Sequence, residues 1–149
     1  MKKALLLFTA LLSVSTLAHA QDFNQQKRQI IQKIYSDPEN GLLLLLRKYA
    51  SHDFKAVFKE DEHYAQGELG CIDYDVVVSG QDLNHKEIRR SLKISMLNDG
   101  NVGVSYRNLG NPANLVYVMQ CRNNQCLVDD ILDDGSSFKD SIRSCIANN

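Results

Sequence analysis

The sequence of 149 residues lacks tryptophan and contains only two prolines, and it shows no internal repeat or low-complexity tract. Acidic residues slightly outnumber basic ones, 18 to 17, and no window forms a basic stripe, which excludes a typical nucleic-acid-binding protein. No apolar run reaches the roughly 20 residues of a membrane-spanning helix. A C-x-x-C redox motif and a nucleophile elbow are also missing. These absences leave a small domain without a recognisable catalytic motif.

The N-terminus has the three parts of a secretory signal peptide. Lys2 and Lys3 supply the positive charge, and residues 4–17 form an apolar core. Ala18-His19-Ala20 then gives an A-x-A cleavage site. We therefore expect a signal peptide over residues 1–20, with an uncleaved N-terminal anchor as the alternative.

The remaining segment, residues 21–149, has the length of one domain. It starts with Gln21, whereas a lipoprotein would need a cysteine at this position. Removing Lys2 and Lys3 from the 17 basic residues leaves 15 against 18 acidic ones, so the net charge becomes −3. We expect a single domain in the periplasm that has no membrane anchor and does not bind nucleic acid.

The cysteines number four, and all lie in the exported segment: Cys71, Cys121, Cys126 and Cys145. An even count in an exported chain indicates two disulfides. Zinc is the competing interpretation, but it favours C-x2-C pairs or nearby histidines, and the spacing here is C-x4-C. Cys121 and Cys126 flank a predicted four-residue hairpin loop, where opposed Cα atoms are about 5 Å apart and within disulfide range. Cys71 is then left for Cys145.

Two helices are predicted from apolar residues that recur with helical spacing. The first spans residues 22–36 and has Asp22 as its cap. The other is capped by Ser51 or Asp53 and ends near Tyr64.

Between these two helices lies a predicted helix that carries five consecutive leucines, Leu42 to Leu46. Asp37-Pro38-Glu39 has the composition of its N-terminus. Five leucines in a row cover the whole circumference of a helix, so we expect it to be buried between a sheet and another helix. A leucine patch that is open to a partner is the alternative.

Hairpin signals occupy the second half of the chain. Asn98-Asp99-Gly100 and the segment NLGNPAN mark two turns, and apolar residues alternate around the first. The predicted strands are 92–96, 102–106, 115–121 and 126–132, and a closing helix follows over 138–146. Helices, then an antiparallel meander, then a helix indicate an α+β fold in which the N-terminal helices pack on a curved sheet.

Four aspartates follow the last cysteine of the hairpin: Asp129, Asp130, Asp133 and Asp134. They lack the spacing and the distant glutamate of a calcium-binding EF-hand loop. We expect Asp134 and the serines after it to cap the closing helix. In an alternating strand either Asp129 or Asp130 points inward, where a carboxylate is able to act as a general base.

Two other polar groups are candidate ligand or partner sites. The first consists of Asp73, Asp75, Gln81 and Asp82, in a glycine-flanked segment where such residues also serve as turn formers. The second is the tip of the stapled hairpin, with Arg122, Asn123 and Asn124. A loop that a disulfide makes rigid is suited to contact a partner.

Three segments carry a family resemblance: IDYDVVVSGQD, VGVSYRNLGNPANLVYVM and CLVDDILDDGSSFKDSIRSCI. With them, residues 30–146 resemble the small exported bacterial proteins of the domain of unknown function 3828 family, which are similar to nuclear-transport-factor-2-like cone folds. The tryptophan that is usual in the family's last strand is absent, and Leu127 or Val128 stands in its place. The resemblance implies a cone-like domain with a curved sheet and a pocket, in a fold that hosts both enzymes and binding modules.

We predict a non-enzymatic periplasmic binding or inhibitor module that has neither cofactor nor metal. Some small disulfide-bonded periplasmic proteins of this build resemble immunity proteins, so a toxin acting in the periplasm is the specific partner expected. One alternative is a small-molecule-binding or enzymatic cone that uses Asp129 or Asp130 with Tyr74 or Tyr117. Another is an envelope structural protein that self-associates through the leucine helix, and a homodimer also stays open.

Overall fold

A computed structural model describes residues 14–36 and 42–148 of the protein, with side chains from Phe23 onward. These residues form five helices and a five-stranded antiparallel sheet, which confirms the predicted α+β class. In chain order the elements are α1 (Val14–Ile34), α2 (Leu42–Tyr49), α3 (His52–Ala65), α4 (His85–Ser91), β1 (Lys93–Met96), β2 (Val102–Asn108), β3 (Asn111–Arg122), β4 (Gln125–Asp133), β5 (Ser136–Ser137) and α5 (Phe138–Asn148).

Helix α1 is longer than the sequence predicts. Its backbone is helical from Val14, upstream of the predicted cleavage site, so Asp22 lies inside the helix and is not its cap. Ile30, Ile31 and Ile34 are buried because their spacing places them on one face. The N-terminus predicted for the leucine helix, Asp37-Pro38-Glu39, lies outside the described residues.

Helix α2 buries only one side of its leucine run. Leu42 and Leu46 are buried, whereas Leu44 is 64% exposed. The helix packs on α1 and β4 along one face, and its opposite face meets solvent. The prediction that this helix packs against a sheet and another helix is therefore confirmed, but the expected burial of the whole leucine run is wrong.

Asparagine and serine caps begin two of the helices. Ser51 starts α3 as predicted, because its Oγ accepts a hydrogen bond of 3.0 Å from the backbone N–H of Phe54. Helix α4 was not predicted, although the sequence carries a signal for its start. Asn84 is of a residue type that commonly caps a helix, and Glu87 follows it three residues later. Asn84 Oδ1 accepts a bond of 3.2 Å from the Glu87 amide.

The five strands form a meander in which each strand pairs with the next in sequence. Val104 pairs with Leu115 and Tyr117 pairs with Ile131, and all four side chains are buried. A bulge interrupts the β3–β4 ladder, and Asp129 is the extra residue on β4. A bulge of this kind bends its strand and increases the local twist.

The loop between α3 and α4, residues 66–84, inserts three valines into the core, and we call it the valine loop. Val76, Val77 and Val78 are at most 1% exposed. The carbonyl oxygen of Val77 accepts hydrogen bonds from the hydroxyls of Tyr35 at 2.8 Å and Tyr106 at 3.0 Å. Tyr117 completes the cluster with an O···O distance of 3.0 Å to Tyr35. Burial raises the pKa of all three hydroxyls, so they remain neutral.

Both predicted disulfides are confirmed. Cys71 in the valine loop bonds Cys145 on α5, with Cα atoms 6.0 Å apart. Cys121 and Cys126 bond across the β3–β4 hairpin, with Cα atoms 4.0 Å apart. Disulfides of this kind are typical of an oxidising compartment. None of the helices in the described residues combines the length and apolarity that crossing a membrane requires.

Candidate functional site

The β3–β4 hairpin ends in a tighter turn than the predicted four-residue loop. Arg122 and Gln125 still pair as strand residues, so only Asn123 and Asn124 form the turn. Their φ angles are 52° and 60°. Two central residues with positive φ define a type I′ turn, which matches the twist of the strands and which asparagine tolerates well.

Helix α1 holds this turn from one side. The Gln26 side chain donates from Nε2 to the carbonyl oxygen of Asn124 at 3.1 Å. Its Oε1 accepts a hydrogen bond from the backbone N–H of Cys126. Sequence reasoning missed Gln26, because no local pattern indicates a contact between residues that lie 98 and 100 positions apart.

Four side chains at this turn point into solvent: Arg122, Asn123, Asn124 and Gln125. We call these residues the stapled tip. Their side chains form no hydrogen bond or ion pair with another residue in the described part of the chain, so a guanidinium and three amides are available to a partner. The disulfide, the type I′ turn and the Gln26 clamp together fix the backbone that carries them.

The neighbouring β1–β2 turn is held by the same helix. The Lys27 side chain is 8% exposed, and its Nζ donates to the carbonyl oxygen of Gly100 at 2.6 Å. Arg28 donates to the carbonyl oxygen of Ile94 at 3.1 Å. Helix α1 thus fixes two adjacent turns at one end of the sheet.

The predicted polar cluster lies at the other end of the sheet, in the valine loop. Asp75 accepts bonds from the amides of Val77 at 2.9 Å and Leu43 at 3.3 Å, and burial raises its pKa. Gln81 donates to the backbone oxygen of Asp73 at 3.2 Å. Asp75 and Gln81 therefore hold the loop together.

The other two members of that cluster, Asp73 and Asp82, have exposed side chains. The backbone oxygen of Asp82 accepts a bond of 2.9 Å from the side chain of Asn108, at the end of β2 opposite the stapled tip. The structure thus separates this cluster from the tip, and the described residues contain no group of histidines, cysteines and carboxylates arranged to hold a metal ion.

Asp130 caps the closing helix. Its side chain is 6% exposed and accepts bonds from Ser137 Oγ at 2.6 Å and from the Lys139 amide at 3.2 Å. Ser137 Oγ in turn accepts from the Asp140 amide at 3.0 Å. The prediction that Asp134 caps this helix is wrong, because Asp134 lies in the β4–β5 turn with a φ of 48°.

Asp129 joins the network between α3 and α5. It accepts a bond of 2.6 Å from Ser51 Oγ and lies 3.1 Å from Lys139 Nζ. Lys139 also bonds Asp53, and bonds from Arg143 and then Lys139 lower the pKa of Asp53 to about 2. Partial burial opposes the charge of Lys139, but its two carboxylate partners outweigh this effect and raise its pKa.

The residues of the alternative pocket hypothesis do not converge. Tyr117 is fully buried against Tyr35, and Tyr74 packs edge-on against Phe138. The carboxylates of Asp129 and Asp130 are bonded to α3 and α5, as described above. Neither Tyr74 nor Tyr117 therefore forms a hydrogen bond with Asp129 or Asp130.

Comparison of the chain with family models, with curated proteins and with solved structures found no match. The resemblance to the domain of unknown function 3828 family therefore stays a prediction.

Proposed function

We propose that the protein is a non-catalytic binding or inhibitor module whose stapled tip contacts a protein partner. The observation that carries this proposal is the contrast at residues 122–125 between a fixed backbone and four exposed side chains without internal partners. Elsewhere, polar residues such as Asp75 and Asp130 are used to hold the fold.

A fixed tip favours binding because part of the ordering has already taken place during folding. Ordering flexible side chains at an interface costs roughly 0.5–1.5 kcal/mol each, and a mobile loop adds further cost. The disulfide and Gln26 remove the backbone part of this cost. Arg122 and the asparagines then offer hydrogen-bond donors in a defined geometry, and arginine is frequent among the residues that dominate binding energy.

The proposed compartment is the periplasm, reached through cleavage after Ala20. It is supported by the signal-like N-terminus and by the two disulfides. We further propose a toxin that acts in the periplasm as the partner, on the analogy with small disulfide-bonded immunity proteins. Mass spectrometry of the protein from a periplasmic extract is expected to give Gln21 as the first residue.

Co-purification with a charge-matched control tests the tip. Affinity-tagged wild type, R122E and R89E are expressed in the periplasm, and the bound proteins are quantified. Arg89 lies exposed on α4, so R89E changes the net charge equally at another surface. We expect a partner that wild type and R89E retain and R122E loses.

Two outcomes would count against the proposal. A partner retained equally by R122E and wild type would place the interface elsewhere, and the absence of any partner from several extracts would remove the binding function. A variant that keeps Arg122 but removes the staple, C121A/C126A, is expected to bind more weakly because its tip must be ordered on binding.

A further inference from the structure

Helices α2 and α3 enclose a groove that contains none of the predicted site residues. Its volume is about 430 Å³, and the side chains that shape it are Arg47, His52, Lys55, Phe58, Lys59 and Glu62. Phe58 at its base is only 2% exposed, so the groove is a concave surface lined mainly by charged side chains.

Both lysines of α3 lie on the groove side of the helix, together with His52. His52, Lys55 and Lys59 follow each other at spacings of three and four residues, so they lie along one face. Like charges at these spacings destabilise a helix slightly. In the described residues neither lysine has a carboxylate within ion-pair distance.

Three of the four carboxylates of α3 are directed elsewhere. Asp53 and Glu60 pair with Arg143 on α5, with the closest N–O distances at 2.9 and 3.0 Å. Asp61 is buried and accepts hydrogen bonds from the amides of Cys71 and Ile72. Three carboxylates of α3 are thus turned away from the groove, and Glu62 is the carboxylate of this helix that remains on it.

Among the described residues, Glu62 is the one acidic side chain that lines the groove, and it forms an ion pair with Arg47. The Arg47 guanidinium also lies over the Phe58 ring, 4.6 Å from its centroid. Arg47 is therefore fixed in place by an ion pair and a cation–π contact. Lys55 and Lys59 remain as basic side chains that pair with no carboxylate in the part of the chain that the structure describes.

We propose that the α2–α3 groove binds a carboxylate-rich extended segment of a protein partner. Lys55 and Lys59 are about 6 Å apart along the helix axis, close to the roughly 7 Å between same-side residues of an extended chain. Acidic side chains at alternate positions of such a segment lie on one side of it and are able to reach both lysines. The proposal holds whether or not the stapled tip has a partner.

Fluorescence anisotropy with a defined probe tests the groove. The probe is a short fluorescein-labelled peptide in which glutamate and leucine alternate, and its counterpart carries glutamine in place of glutamate. We expect the purified protein to bind the glutamate peptide in a salt-sensitive manner and the glutamine peptide much more weakly. K55Q/K59Q is expected to lower the affinity about ten-fold, the loss expected for two partly desolvated ion pairs.

The matched control is K86Q/R89Q, which removes the same charge from the exposed face of α4. Both variants replace exposed side chains, and circular dichroism checks that they fold. Equal losses in the two variants, or equal binding of both peptides, would overturn the proposal. Tighter binding of inorganic polyphosphate through Lys55 and Lys59 would overturn the assignment of a carboxylate ligand.

Discussion

The two disulfides are expected to differ in their contribution to stability by about 2.5 kcal/mol. Cys71 and Cys145 are 74 positions apart, whereas Cys121 and Cys126 are separated by five. Closing the long loop removes more conformations from the unfolded chain. On the chain-entropy model the long bridge stabilises the fold by about 4.5 kcal/mol and the short bridge by about 2 kcal/mol.

The long bridge also joins elements that are otherwise distant in sequence. It attaches the valine loop, which fills the core, to α5. The short bridge lies in a hairpin that Gln26 and the strand ladder already hold. Loss of about 4.5 kcal/mol approaches the whole stability of a marginal domain, which is roughly 5–15 kcal/mol.

The contribution of each bridge to stability is measured in a variant that keeps only that bridge. The oxidised and reduced forms of one variant are compared, so the two states differ only in the disulfide. C121A/C126A keeps the long bridge and C71A/C145A keeps the short one. Urea unfolding of each variant with and without a reductant gives the free energy that its bridge supplies. If the short bridge supplies as much as the long one, the loop-entropy reasoning is refuted, and native-state geometry must set the contributions instead.

Three further substitutions test individual parts of the structure. Leu109 is 53% exposed, and it and Gly110 have φ angles of 52° and 83° in a two-residue turn. Because asparagine tolerates this conformation better than leucine, L109N is expected to raise the free energy of unfolding by about 1 kcal/mol, and a lower melting temperature would contradict the assigned strain. D130A is expected to lower the free energy of unfolding by about 2–3 kcal/mol, since it leaves the Lys139 amide, the Ile131 amide and the Ser137 hydroxyl without their acceptor. D134N serves as the control, because asparagine tolerates the positive φ of this position as aspartate does, and it should change the free energy of unfolding by less than about 0.5 kcal/mol; similar losses in both variants would refute the capping role of Asp130. Asp53, with its pKa lowered to about 2, stabilises the fold fully above its unfolded pKa of about 4 and loses this effect as the pH falls through 2. The stability difference between wild type and D53N, measured by urea unfolding, should therefore vanish between about pH 4 and 2, and a constant difference would show that the ion pairs contribute nothing.

The strands and the cysteine pairs follow from local signals. Strand β2 was predicted over 102–106 and spans Val102–Asn108, because alternation and the Asp-Gly turn define it within a short window. The pairing of Cys121 with Cys126 follows from the same hairpin. Signals of this range are sufficient for the fold class, since each strand of the meander pairs with its sequence neighbour.

Contacts between distant segments account for most of what the sequence did not predict. The Gln26 clamp on the stapled tip and the bonds of Asp75 to Leu43 depend on how α1 and the valine loop pack. The exposure of Leu44 has the same origin, because a run of five leucines does not indicate which side of the helix finds a neighbour. Each of these features becomes defined only when the helices are placed on the sheet.

Several acidic residues were candidate site residues in the sequence, but in the folded chain some of them accept hydrogen bonds from backbone amides. Asp61, Asp75 and Asp130 all accept bonds from main-chain N–H groups, at loops and at helix starts. A carboxylate used in this way is withdrawn from the surface, whereas Lys55 and Lys59 in the groove have no ion-pair partner among the described residues. A chain with an excess of acidic residues therefore presents a cationic concave surface, and an acidic partner is the ligand that this arrangement favours.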